Sequence, residues 1–144
     1  TAQSILQRRK SRAGSSLEHH VEHLLSAASI PFTPQSSKVD GKPDVTIPSA
    51  EAYLDPDFPV EKLCILGVKT TCKDRWRQVT REASRVSHKY ILTLQKGISE
   101  NQLNVMENEK VTLVVPEPLH VNYPPDYRTK LLSVESFVER VRQM

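Results

Sequence analysis

The feature that most constrains the fold is the apolar run Leu63-Cys64-Ile65-Leu66-Gly67-Val68, which stops at Lys69. The run is too short for a buried helix, and its length suits a strand covered on both faces. Such a strand lies inside a sheet with helices packed above and below it. Tyr90–Leu94 and Val111–Val115 read as further apolar strands, the second stopped by Pro116 and Pro118. Lys42–Ile47 reads as a shorter strand, because Val45 and Ile47 alternate with Asp44 and Thr46 before Pro48 ends it.

Helical spacing supplies the covering layers. Leu17, Val21, Leu24, Leu25 and Ala28 predict an amphipathic helix over 16–29, with Gly14-Ser15-Ser16 offering its N-cap and Pro31 closing it. A second helix is predicted over 74–87, with Trp76, Val79, Ala83 and Val86 as its apolar stripe and Trp76 in the core. A short helix is expected over 99–107, and a closing helix over 134–144 through Val134, Phe137, Val138 and Val141. Residues 1–13 read as polar and basic, loose or helical. Residues 30–33 read as briefly extended, 34–41 as turn-rich, 48–61 as an irregular or hairpin-like excursion, and 119–130 as a proline-containing loop. The order α, β, β, α, β, α, β, α, with no internal repeat, predicts an α/β fold: a mixed central sheet flanked by helices, one domain over 1–144.

With 38% apolar and 26% charged residues in 144, the chain reads as an ordinary soluble domain. No apolar stretch approaches the ~18–20 residues of a membrane span, and no signal-peptide core is present. Cys64 and Cys72 form neither a CxxC pair nor a disulfide framework, which favours a reducing cytoplasm. The net charge is +3, but its distribution is more informative. Arg8, Arg9, Lys10 and Arg12 cluster near the start, and from Lys69 to Lys89 seven basic residues face only Asp74 and Glu82. Such clusters suit a polyanion partner, although a solvated helix face would look the same.

Asp44 follows Pro43 and opens the short strand, while Lys69 ends the next one, so the two are expected at one edge of the sheet. A carboxylate there suits Mg²⁺, and a lysine beside it suits the orientation or deprotonation of a water at phosphorus. The usual nuclease arrangement, PD…(D/E)xK, places a second acid two residues before the lysine, but Gly67 occupies that position. Glu82 offers a replacement: on the predicted helix it shares a stripe with Arg75, Gln78 and Arg85, which would point it back at the strand end. Locally it could equally pair with Arg85 or hydrogen-bond Gln78. Glu18, in the first turn of the first helix, is a third possible carboxylate or ordinary helix-dipole chemistry. Lys73, Arg75, Gln78 and Arg81, with Arg77, place guanine- and adenine-reading side chain types just after the lysine; non-specific phosphate contact is the alternative.

Two other groups are less promising. His19 and His23 are four apart but lack the HExxH glutamate and a third zinc ligand. Tyr53, in the acidic excursion, has no sequence neighbour that would activate it as a nucleophile.

Pro43-Asp44, Lys69 and Glu82 resemble the PD…K-x12-E variant of the PD-(D/E)xK nucleases. The stretches GKPDVTIPS and VKTTCKDRWRQVTREA look like the catalytic C-terminal domain of type IIE, EcoRII-like restriction endonucleases. This resemblance implies Mg²⁺-dependent cleavage of double-stranded DNA by a homodimer in the bacterial cytoplasm, with CCWGG as the expected target. It implies Asp44 and Glu82 as metal ligands, Lys69 as the catalytic lysine, Glu18 as a further acid, and Lys73, Arg75, Gln78 and Arg81 as DNA-contacting residues. It also implies an N-terminal effector DNA-binding domain outside this chain, which fits the start at Thr1. A catalytically inactive DNA-binding module, or a structure-specific nuclease of the same fold, is the competing expectation.

Overall fold

The computed structural model describes residues 14–144 of the chain, so the basic cluster at 8–12 lies outside the described residues. A five-stranded sheet runs through the centre in sequence order. Its strands are β1 (Thr33–Pro34), β2 (Val45–Ile47), β3 (Cys64–Lys69), β4 (Lys89–Thr93) and β5 (Val111–Val114). The first three pair antiparallel, with Val45 opposite Leu66. β3, β4 and β5 run parallel, with Lys69 opposite Thr93. β3 is therefore the strand where the sheet changes sense. Parallel neighbours need crossover connections, and those after β3 and β4 carry helices α3 (Trp76–Thr80) and α4 (Glu100–Asn108).

The apolar run behaves as a doubly covered strand. Cys64, Leu66 and Val68 face a core that also holds Leu17, Val21 and Leu25 of α1 (Gly14–Ala27) and Phe137 and Val141 of α5 (Val134–Arg142). Ile65 faces the opposite layer, where it packs with Val39, Tyr53, Ala83 and Val86. Ile65 and Leu66 are completely buried, and full burial of such a side chain contributes about 1.5–3 kcal/mol. Farther along that layer Trp76, Val79, Ile91, Leu103 and Met106 form a second cluster, with Trp76 in the core as expected.

Four segments depart from expectation. The helix predicted over 74–87 is only Trp76–Thr80, because Ala83 adopts a positive φ of 46° and gives its N–H to the Asp40 carbonyl at 2.8 Å. The excursion at 48–61 contains a short helix, α2 (Ala50–Leu54), capped by the Ser49 hydroxyl, which accepts the Ala52 N–H at 3.0 Å, and a 3₁₀ turn at Val60–Lys62. Residues 119–130 fall in two 3₁₀ turns, Glu117–Asn122 and Pro125–Lys130, each with a proline in its first turn, where the missing N–H costs nothing. At the chain's start, α1 already includes Gly14, which was expected in the cap. Among the described residues no helix is long and apolar enough to cross a membrane.

Candidate active site

The antiparallel pairing of β2 with β3 brings Asp44 to the end of β3. The Asp44 Oδ2 accepts the Val68 backbone N–H at 2.7 Å and the Lys69 ammonium at 3.1 Å. The two side chains are only 10% and 12% exposed, so the pair is well shielded from solvent. Attraction between shielded charges is stronger than between exposed ones, and the backbone N–H fixes the orientation of the carboxylate. The expected meeting of Asp44 and Lys69 at one sheet edge is thus present in the structure.

Glu82 lies beyond the end of α3, on a turn. The helix stripe expected to aim it does not exist at that position, yet the side chain is directed inward and is 5% exposed. Its Oε1 is buried without a hydrogen-bond partner. Its pKa is pushed up to about 7, first by burial and then by the negative charge of Asp44, while Lys69 and Lys89 pull it down. Glu82 therefore stands in the field of both Asp44 and Lys69. The expected alternative, a local pair with Arg85, is not made: the Arg85 guanidinium donates instead to the carbonyls of Ala52, Tyr53, Asp55 and Phe58.

Glu18 approaches the same place from α1. Its carboxyl is raised by burial and by the charge of Asp44 and lowered by Lys69, and its Oε2 accepts the Gln35 amide. Among the described residues, no three Asp, Glu, His or Cys side chains close into a ready-made metal cage. Magnesium does not require one, since it is commonly held by one or two carboxylates with waters and substrate phosphates completing the shell. An orphaned, buried carboxylate oxygen in the field of a second carboxylate is a hard donor set that fits such a cation.

The position of the usual second acid is closed. A Cβ at Gly67 would stand 2.9 Å from Val79 Cγ2. A side chain where PD…(D/E)xK would place an acid thus needs Val79 of α3 to give way.

Beside Glu82 opens a cleft of about 390 Å³, lined by Gly41, Asp74, Arg75, Arg77, Gln78, Arg81 and Glu82. It gathers three of the side chains expected to contact DNA: Arg75, Gln78 and Arg81. Lys73 lines a neighbouring recess of about 230 Å³ with Trp76, Arg77 and Gln102. The Arg77 guanidinium lies over the Trp76 ring at 4.5 Å, which ties one wall of the cleft to the core. The loop leading from Lys69 to α3 is pinned by Gln95, whose Oε1 accepts the N–H groups of Cys72 at 3.2 Å and Lys73 at 3.4 Å, and by Gln102, which donates to the Lys73 carbonyl at 2.7 Å.

Sequence reasoning did not find Asp40, Gly41 or Gln95. Gly41 carried a signal, a glycine three residues before Asp44. It has a φ of 78°, and a Cβ there would stand 2.8 Å from Glu82 Cα. Tyr53 is also better connected than its sequence neighbours suggest. Its hydroxyl donates to Asp40 Oδ1 at 2.6 Å, and burial together with that bond pushes its pKa above the usual phenol value.

The family model for the EcoRII C-terminal domain matches residues 1–138. The chain is 46% identical to the type II restriction enzyme EcoRII of Escherichia coli over 139 residues, covering 95% of this chain and 34% of that protein. It is 25% identical to the type II restriction enzyme SsoII of Shigella sonnei over 154 residues, 99% of this chain and 49% of that one. Its fold matches metal-depleted Ecl18kI in complex with uncleaved DNA at a TM-score of 0.76 and 26% identity, covering 99% of this chain and 48% of Ecl18kI. The PspGI–substrate DNA complex has the same fold, with a TM-score of 0.72 at 18% identity, covering 98% of this chain and 64% of PspGI. The chain thus spans between about a third and two thirds of the length of these relatives.

Proposed function

The chain belongs to the EcoRII C-terminal family, and we propose that it is the catalytic domain of a site-specific, Mg²⁺-dependent endonuclease acting on double-stranded DNA. The observation that carries this reading is the shielded Asp44–Lys69 pair with the orphaned carboxylate of Glu82 in its field, beside an arginine-lined cleft. In the reaction, water attacks phosphorus in line, the P–O bond opposite it breaks, and the sugar oxygen leaves and takes up a proton. Lys69 positions or activates that water and stabilises charge on the phosphate. Asp44 and Glu82 would hold Mg²⁺, with Glu18 as a further acid. Bound there, the ion supplies charge neutralisation at the phosphate and a more acidic water.

Arg75, Gln78 and Arg81 line the cleft beside these acids, and arginine and glutamine pair with guanine and adenine edges in the major groove. Lys73, in the next recess, extends the same basic surface. The likeness to EcoRII supports CCWGG as the target, action as a homodimer in the bacterial cytoplasm, and one catalytic domain over 1–144 that works beside an N-terminal effector domain. The test is digestion of DNA of known sequence with and without Mg²⁺, followed by mapping of the cut ends. Discrete bands with ends at CCWGG are expected. A smear, or cutting at unrelated sites, would indicate a structure-specific or non-specific nuclease, and no cutting with retained DNA binding would indicate an inactive module.

A further inference from the structure

We propose that Asp40 and Tyr53 are positioning residues for Glu82: together they clamp the turn that carries it and so set where its carboxylate stands. The proposal rests on the reading of Glu82 as a metal-holding acid.

Glu82 has no regular structure to hold it, since α3 ends at Thr80. The three residues that follow are each captured by their backbone N–H. Ala83 donates to the Asp40 carbonyl at 2.8 Å, Ser84 to Asp40 Oδ2 at 2.8 Å, and Arg85 to the Tyr53 hydroxyl at 3.2 Å. The remaining Asp40 oxygen, Oδ1, accepts the Tyr53 hydroxyl at 2.6 Å, which closes the network. Asp40 thus has both carboxylate oxygens and its carbonyl engaged.

The residue after Asp40 completes the clamp. Gly41 lies so close to Glu82 that a Cβ would meet its Cα at 2.8 Å and its Cγ at 2.9 Å. The 40–41 backbone thus forms one wall against the stem of Glu82. Tyr53 is itself anchored, because the Arg85 guanidinium binds carbonyls of α2 and the segment after it. The protonation states suit the network. The Tyr53 and Ser84 bonds hold the Asp40 carboxyl below its usual value, and burial with the Asp40 bond holds the Tyr53 phenol above its own. The acceptor stays charged and the donor stays protonated around neutral pH.

Groups that orient a metal ligand from behind commonly change metal affinity or activity by about 10–100-fold when removed. The test measures cleavage of a plasmid carrying one mapped cut site as a function of Mg²⁺ concentration, for Asp40→Asn, Tyr53→Phe and Glu82→Ala. Metal-free DNA binding and the melting temperature are recorded in parallel. Asp40→Asn and Tyr53→Phe are expected to raise the half-saturating Mg²⁺ concentration about tenfold and to lower kcat, with metal-free DNA affinity within about twofold of wild type. Wild-type Mg²⁺ dependence in Tyr53→Phe and in Asp40→Asn, with Glu82→Ala inactive, would overturn the clamp. Wild-type cutting by Glu82→Ala would instead overturn the reading of Glu82. Tyr53→Phe removes a single oxygen and decides the matter should Asp40→Asn fail to fold.

Discussion

Asp44 and Lys69 are held by backbone at the ends of paired strands, whereas Glu82 rides a turn fastened from outside the sheet, by one backbone carbonyl and two side chains. The first pair flanks β2 and β3, and an N–H of β3 itself binds the Asp44 carboxylate. Glu82 rides a turn whose conformation depends on a loop and a short helix distant in sequence, as in the Ser84 to Asp40 bond across 44 residues. The contrast teaches that one site can combine a part as firm as the sheet with a part only as firm as its clamp. Their electrostatics differ accordingly: the Asp44 carboxylate is matched by an ammonium at 3.1 Å, while Glu82 keeps an oxygen without a partner.

The largest expected effect tests the firm part. Asp44→Ala or Lys69→Ala should lower cleavage by about 10³-fold or more while leaving DNA binding near wild type, measured by single-turnover cutting and by mobility shift. Wild-type-like cutting by either variant would break the comparison at its stronger side. A smaller effect is expected in the cleft. Arg75→Ala or Gln78→Ala should each weaken binding to the target by about 1–3 kcal/mol relative to unrelated DNA. Unchanged affinity and site preference in both would remove the cleft from the recognition surface.

The smallest effect sharpens the electrostatic contrast. Between the ordinary carboxylate range and about 7, folded Glu82 holds a proton that the unfolded chain has released, so metal-free stability falls as pH rises through that window. Glu82→Gln removes this penalty. It should raise the melting temperature by a few degrees at pH 8 and have little effect near pH 4.5. An equal shift at both pH values would place the cause in packing rather than in charge.

Much of the sheet was legible because three of its strands are continuous apolar runs, and α1 and α5 were legible because their stripes repeat at helical spacing. Residues 74–87 misled for a physical reason. Ala83 carries no turn signal, and the helix ends where it does because Asp40 takes the Ala83 N–H. Asp44 and Lys69 could be read from strand ends. Glu82 was singled out as the relocated acid, but the helix expected to aim it gives way to a turn. The Tyr53–Asp40 network was illegible because each of its bonds joins segments with no shared periodicity.

The tight contact of Gly67 with Val79 also couples two positions of the sequence. Glutamate at 67 would first require Val79 to give up the space its methyl group fills, at 2.9 Å from the absent Cβ. A library varied at 67 alone would therefore accept an acid less readily than one varied at 67 and 79 together.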